Sequence, residues 1–207
     1  MLALVAIILL VMLVGAFYYA AGFDDPADAA SFEFVAIAAQ SVAMVGVTLA
    51  LTSRNGRLRA SRFGFRPSKG SAVRWSLAVL FGYFFLAYLY TLLASPPQDD
   101  LPQELGANES TTLAVITGIF VIGIAPVVEE FFFRGFLYQA FRNGVGVWGA
   151  AAASGLIFGV IHFKPEFFIP LAGLGVLLAL LFEKTNSLWP CIAVHATNNA
   201  LAFAVLL

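Results

Sequence analysis

Long apolar stretches alternate with short polar connections along the whole chain. A helix needs about 20 mostly apolar residues to cross a bilayer. Seven runs approach or meet this length, namely 2–21, 34–52, 75–94, 111–133, 147–163, 167–182 and 188–207. They lack the strict alternation of barrel strands, and helices are the other structure that satisfies its own backbone in lipid. The pattern predicts an all-α fold, a polytopic transmembrane bundle of about seven helices.

Composition excludes an ordinary soluble domain. Of 207 residues, 61% are hydrophobic and only 11% are charged, whereas about 25% of a typical soluble domain is charged. Most cations lie in one short loop, so no surface suits nucleic acid. The first run lacks the basic start of a signal peptide and is predicted to be a retained helix. The lone Cys191 is best explained as a small buried hydrophobe.

The charges are segregated between loops. Seven cations and no acid occupy the connection 53–74, which we call the basic loop, and acidic residues fill the connections on either side. Short loops rich in Lys and Arg stay in the cytoplasm, so the basic loop is predicted to be cytoplasmic. We expect a multi-pass protein of the plasma membrane, in contact with membrane lipids. The second half of the chain does not decide from which side a site there would open.

Ionisable residues interrupt the apolar pattern at three places. They are Glu129-Glu130 with Arg134, then His162, and then His195 with Asn199. A charged side chain at the centre of a spanning helix costs about 2.5–3.5 kcal/mol on insertion scales, so such residues are candidates for function.

Helical spacing suggests a role for each of these residues. Glu130 and Arg134 are four residues apart and can pair on one face, whereas Glu129 is rotated by about 100° and would point into a cavity as a general base for water. Phe158 precedes His162 by four residues, so its ring is expected beside the imidazole.

The two halves of this segment are expected to meet. A turn at Asn143-Gly144 would join two antiparallel helices, with Glu129 15 residues before Gly144 and His162 18 residues after it. At about 1.5 Å per residue, the two side chains would lie at one depth. His195 and Asn199 share a helix face and could stabilise an oxyanion, or one of them could hold a metal. The sequence predicts one buried site for all four.

The three motifs, in this order, resemble the CAAX-processing and bacteriocin-processing intramembrane proteases, a family that includes the type II CAAX prenyl endopeptidases. The family pattern is Glu-Glu-x-x-x-Arg, Phe-x-x-x-His and His-x-x-x-Asn, and the Ser187–Pro190 segment also looks like the family. The resemblance covers 111–207, taken as the catalytic core, while 1–110 supplies membrane helices and the basic loop. We treat the two parts as one domain.

The resemblance implies peptide-bond hydrolysis at a site within the bilayer that opens to the cytoplasm. Glu129 and His162 would activate water, and His195 and Asn199 would hold the oxyanion. Glu130, Arg134 and Phe158 would support them. Zinc held by His162, His195 and Glu129 and a metal-independent mechanism weigh about equally. The substrate would be a peptide or protein, in some cases lipidated. The rival functions are a proton-coupled transporter and a non-catalytic scaffold or immunity protein.

Overall fold

Helices form almost all of the described structure. The computed structural model describes residues 26–53, 59–68, 70–97, 105, 107 and 110–206, with the side chains of 26–33 and 206 left aside. Its α-helices are α1 (Pro26–Ser53), α2 (Ala72–Ala94), α3 (Thr111–Gly118), α4 (Ala125–Phe132), α5 (Gln139–Val160), α6 (Phe168–Thr185) and α7 (Leu188–Leu206). No strand occurs in these ranges, which confirms the all-α prediction.

Four helical stretches within the described ranges are long and apolar enough to cross a membrane. They are Phe34–Ser53, Ala72–Ala94, Thr111–Val160 and Pro165–Thr185. The predicted count of seven is not confirmed, because two runs merge in the third stretch and the run 188–207, which forms α7, is not among the four. The protein is an integral membrane bundle of helices.

Some predictions fall outside the described residues or need correction. The run 2–21 lies outside them, and so does part of the basic loop. The acidic residues at 24–25 and 99–104, which were predicted to lie in connections, are also outside the described residues. The polar connection expected before residue 34 is partly helical, since the described part of α1 begins at Pro26. Proline suits the first turn of a helix, where its missing N–H has no helical partner.

The stretch from α3 to α5 contains three irregular points, of which one is the π-helical turn Phe133–Tyr138 between α4 and α5. At Pro126 the helix continues, preceded by a π-helical segment, Ile119–Ile124, which is a known way to place a proline inside a helix. The turn predicted around Asn143-Gly144 is a kink at Gly146, two residues further along, with φ 72° and ψ −178°. That conformation is almost exclusive to glycine, so Gly146 interrupts α5 and two helical segments meet there.

The contacts divide the chain into two compact units. Unit 1 comprises Met1–Leu58, Asp99–Val128 and Asn199–Leu207, and unit 2 comprises Arg59–Gln98 and Glu129–Asn198. In unit 1, α1 meets the π-helical segment through Phe34 and Phe120, whose ring centroids are 6.2 Å apart. The predicted division into 1–110 and 111–207 stays a prediction.

In unit 2, α6 lies at the centre of the apolar core. Five of its residues are buried there, Leu174, Leu178, Ala179, Leu181 and Phe182, and the others come from α2, α5, α7 and Tyr138, which directly precedes α5. Cys191 is part of this core and fully buried, as predicted.

Glycines bring α5 and α6 into close contact. A Cβ atom built on Gly155 would lie 2.7 Å from the Ala172 carbonyl oxygen, and one on Gly175 would lie 2.7 Å from the Gly155 Cα atom. Gly159 repeats the contact one turn further along α5, against Phe168. Small residues at such spacing let membrane helices approach at backbone distance. This contact fixes α5, which carries Phe158 near its end, against α6.

The described part of the basic loop packs onto the turn between α6 and α7. The Leu188 N–H donates to the Gly64 carbonyl at 2.8 Å, and the Ser187 hydroxyl donates to the Arg66 carbonyl at 2.6 Å. The Arg66 guanidinium donates in turn to the backbone and side-chain oxygens of Asn186. The loop therefore fixes the start of α7, the helix that carries His195.

Candidate active site

The first part of the site is a buried ion pair on consecutive helical turns. Arg134 Nη1 donates to Glu130 Oε1 at 2.7 Å, and both side chains are completely buried. Arg134 Nη2 also donates to the Gly175 carbonyl of α6 at 2.8 Å. The predicted pairing is therefore present, with a second anchor on α6 that the sequence did not indicate. Pairing of this kind is what allows two charges to be buried.

His195 joins this pair from α7. Its Nδ1 lies 2.9 Å from Glu130 Oε1, and the residue is 3% exposed. The same carboxylate oxygen accepts from Arg134, so the Nδ1 atom must be the donor. Glu130 therefore holds the imidazole ring of His195 and leaves the opposite nitrogen, Nε2, for other contacts.

His162 is held in a similar way, but by a neutral group. It follows α5 directly, and its Nδ1 lies 2.6 Å from the Phe158 carbonyl oxygen. A carbonyl oxygen can only accept, so Nδ1 carries the proton and Nε2 is again the nitrogen left for the site. Each imidazole is thus oriented through its Nδ1 atom, that of His195 by a carboxylate and that of His162 by a backbone carbonyl.

Glu129 lies where these two nitrogens point. Its Oε2 atom is 3.9 Å from His162 Nε2 and 3.8 Å from His195 Nε2. Within the described part of the chain this buried oxygen has no hydrogen-bond partner. Separations of 3.8–3.9 Å exceed a direct hydrogen bond, yet a water molecule about 2.8 Å from each atom would bridge them. The only two histidines of the sequence thus converge on one glutamate.

Phe158 packs against three members of the site. Its ring centroid is 4.6 Å from that of His162 and 5.6 Å from that of His195. The Arg134 guanidinium lies 5.1 Å from the same centroid, on its face, where a cation is attracted to the ring. The ring is completely buried. It contacts the His162 imidazole as predicted and also fixes His195 and Arg134.

Asn199, the fourth predicted catalytic residue, belongs to unit 1 and lies one turn beyond His195 in α7. Its Nδ2 donates to the Val121 carbonyl of the π-helical segment at 2.9 Å. The other predicted residues, Glu129, Glu130, Arg134, Phe158, His162 and His195, all belong to unit 2. A role for Asn199 beside them stays a prediction.

The spacing of the donor atoms also bears on the metal alternative. Two imidazole nitrogens and a carboxylate are a donor set that Zn²⁺ accepts. In the described ranges, however, no group of three His, Cys, Asp or Glu side chains is close enough to hold a metal ion. Zinc ligands about 2.0–2.2 Å from the ion in a tetrahedron lie closer together than 3.8–3.9 Å. The present spacing suits a bridging water better.

Sequence reasoning missed two supports of the site. One is the Gly175 carbonyl, whose role depends on the contact between α5 and α6; the repeat of glycines at 155 and 159 was the available signal. The other is the aromatic contact of the basic loop, where the Phe63 ring lies 4.8 Å from that of Phe131, two residues after Glu129. No local pattern in the loop indicates that contact.

Comparison with known proteins agrees with the motifs. Residues 111–201 match the family model described as Type II CAAX prenyl endopeptidase Rce1-like. A Bacillus subtilis (strain 168) protein named "Putative membrane peptidase YdiL" is 24% identical over 146 residues, which cover 67% of this chain. The chain spans 58% of that relative's length. No solved structure matches the chain significantly.

Proposed function

We propose that this membrane protein is an endopeptidase that hydrolyses a peptide bond at or within the bilayer, because residues 111–201 match the family model of Rce1-like type II CAAX prenyl endopeptidases. The observation that carries the proposal is the convergence of Glu129 Oε2 with the Nε2 atoms of His162 and His195, at 3.9 Å and 3.8 Å. Three titratable groups around the space of one water molecule fit hydrolysis without a covalent intermediate.

Glu129 is the general base in this proposal. It takes a proton from the water that it shares with His162, and the hydroxide attacks the carbonyl carbon of the substrate. The same carboxyl group then gives the proton to the leaving amine, so the protons balance over the cycle. His162 accepts a hydrogen bond from the water at Nε2, because Nδ1 donates to the Phe158 carbonyl.

His195 and Asn199 stabilise the oxyanion in this proposal. An imidazole that donates to the oxyanion through Nε2 while Nδ1 donates to Glu130 carries both protons. Glu130 and Glu129 lie against its two nitrogens, so the cation would have a carboxylate on each side. Asn199 would supply a neutral N–H donor. Loss of one such donor typically lowers kcat by about 10²–10³-fold.

The family-model match and the membrane setting support a proposed substrate class. We propose a peptide whose scissile bond lies close to the membrane, either a CAAX-type C-terminus with a lipid group or a precursor peptide. Exposed apolar side chains around the described helices, such as Phe81 and Leu93 of α2, suit a protein that lies in lipid and meets its substrate there. The plasma membrane is the proposed location.

Purified protein in detergent, assayed with fluorogenic CAAX-type and precursor-type peptides, tests the function. Glu129→Gln keeps the side-chain shape and removes the base, so turnover should fall at least about 10²-fold. Glu166→Gln makes the same chemical change outside the site and should leave turnover unchanged. If both variants cleave as fast as the wild type, Glu129 is not the base.

A chelator decides between the two mechanisms. Cleavage that persists after prolonged treatment with a zinc chelator supports the bridging water. Cleavage that stops, and returns on adding Zn²⁺, would assign the metal to Glu129, His162 and His195. Failure to cleave either peptide class under all conditions would contradict the protease proposal.

A further inference from the structure

The hydrogen bond between Asn199 and Val121 arises from a defect in the backbone pattern of the helix. A helical carbonyl normally accepts from the N–H four residues later, or five residues later in a π-helix. For Val121 these positions are Ala125 and Pro126. The Ala125 N–H donates to the Phe120 carbonyl, and proline has no N–H. Neither helical donor therefore serves the Val121 carbonyl.

The side chain of Asn199 supplies the donor that the helix does not. Its Nδ2 lies 2.9 Å from the Val121 carbonyl oxygen, within normal hydrogen-bond distance. A carbonyl oxygen can only accept, so the nitrogen end of the amide must face it. Pro126 and the π-helical segment thus decide which end of the Asn199 amide faces the Val121 carbonyl.

We infer that Pro126 is a positioning residue for catalysis, acting through the Val121 carbonyl on the Asn199 amide. The inference rests on the proposed function, in which Asn199 donates to the oxyanion. The Nδ2 atom has two N–H groups, and the Val121 carbonyl holds one of them. The other N–H would then point in a direction fixed by this contact, as an oxyanion donor requires.

A double-mutant cycle between Pro126→Ala and Asn199→Ala tests the hydrogen bond without reference to activity. Alanine at 126 returns an N–H to the backbone and gives the Val121 carbonyl a helical donor. Asn199→Ala should therefore lower the Tm of the wild type and lower it clearly less in the Pro126→Ala background. Equal shifts in both backgrounds would overturn the inference. Pro170→Ala, in the first turn of α6, is the matched control and should not change the effect of Asn199→Ala.

The kinetic arm tests positioning. Pro126→Ala should lower kcat by roughly 10–100-fold, as expected when a catalytic group is misplaced, and leave KM within about twofold. In the Asn199→Ala background the same substitution should have no further effect on kcat. An equal fall in both backgrounds would mean that Pro126 acts by another route, and the inference would be wrong.

A spectroscopic measurement covers the case in which Pro126→Ala does not fold. In protein labelled with ¹⁵N-asparagine, the Asn199 side-chain signals are those lost in Asn199→Ala. One of the two protons should be shifted downfield and protected from exchange in the wild type. Its absence overturns the inference whatever the activity. Conversely, a protected proton in a protein whose Asn199→Ala variant cleaves normally would remove Asn199 from the proposed mechanism and leave the hydrogen bond standing.

Discussion

Two glycines two residues apart in α6 should respond in opposite ways to the same substitution. A Cβ atom on Gly175 would lie 2.7 Å from the Gly155 Cα atom and 3.1 Å from the Phe158 Cβ atom, whereas one on Gly173 meets nothing within 4 Å. Both Gly→Ala changes gain about 0.8–1.0 kcal/mol of helix propensity. At Gly175, overpacking opposes this gain with a cost of about 1–3 kcal/mol, which Gly173→Ala does not incur.

The propensity gain cancels between the two variants, so they should differ by about 1–3 kcal/mol. At about 2–4 °C per kcal/mol for a chain of this size, Gly175→Ala should melt roughly 2–12 °C below Gly173→Ala. Tryptophan fluorescence during heating in detergent measures this difference.

The same pair of variants reports on the active site. The Gly175 carbonyl anchors Arg134, and Arg134 and His195 share one oxygen of Glu130. A shift of α6 at Gly175 should therefore lower peptide cleavage, while Gly173→Ala should cleave like the wild type. Equal melting temperatures, or a Gly175→Ala variant that melts above Gly173→Ala, would refute the close contact between α5 and α6.

Two further comparisons test the buried charge and the kink. Glu130→Ala leaves the Arg134 charge buried without its carboxylate and should destabilise the protein by about 3–5 kcal/mol, measured as a fall in Tm. Glu183→Ala, which removes the partner of a partly exposed arginine and the acceptor of the Tyr138 hydroxyl, should lower the Tm less, and a similar fall for both would contradict the burial. Gly146→Ala should cost about 1–3 kcal/mol because its φ of 72° is strained for alanine. Gly144→Ala has equal space around it and should raise the Tm slightly; the opposite order would mean that the helix does not kink at Gly146.

Residue spacing predicted the contacts that lie within one helix. Glu130 and Arg134 pair across one turn, and Phe158 reaches the His162 ring, because these contacts depend only on helix geometry. The convergence of Glu129 with both histidines was expected from helix lengths and a turn. The turn lies at Gly146, two residues beyond Gly144, where glycine adopts the non-helical conformation that joins the two helical segments.

Contacts between distant segments could not be predicted in the same way. The Gly175 carbonyl is a backbone group, and nothing in its residue type indicates that Arg134 will bind it. The contact of Asn199 with Val121 depends on a π-helical segment, and Pro126 indicated only that the helix would be disturbed. For this reason the shared position expected for Asn199 stays a prediction, whereas the position of Glu129 between the two imidazoles is observed.

The docking of Arg66 onto Asn186 affects how membrane orientation should be measured. Orientation is commonly tested by exchanging loop arginines for acids and following which side of the bilayer they reach. At Arg66 such an exchange would also remove the bonds to Asn186 and loosen the start of α7. Arg59 and Arg62, both exposed, are the better positions, because charge reversal there changes the electrostatic signal and keeps the hydrogen bonds between Arg66 and Asn186 intact.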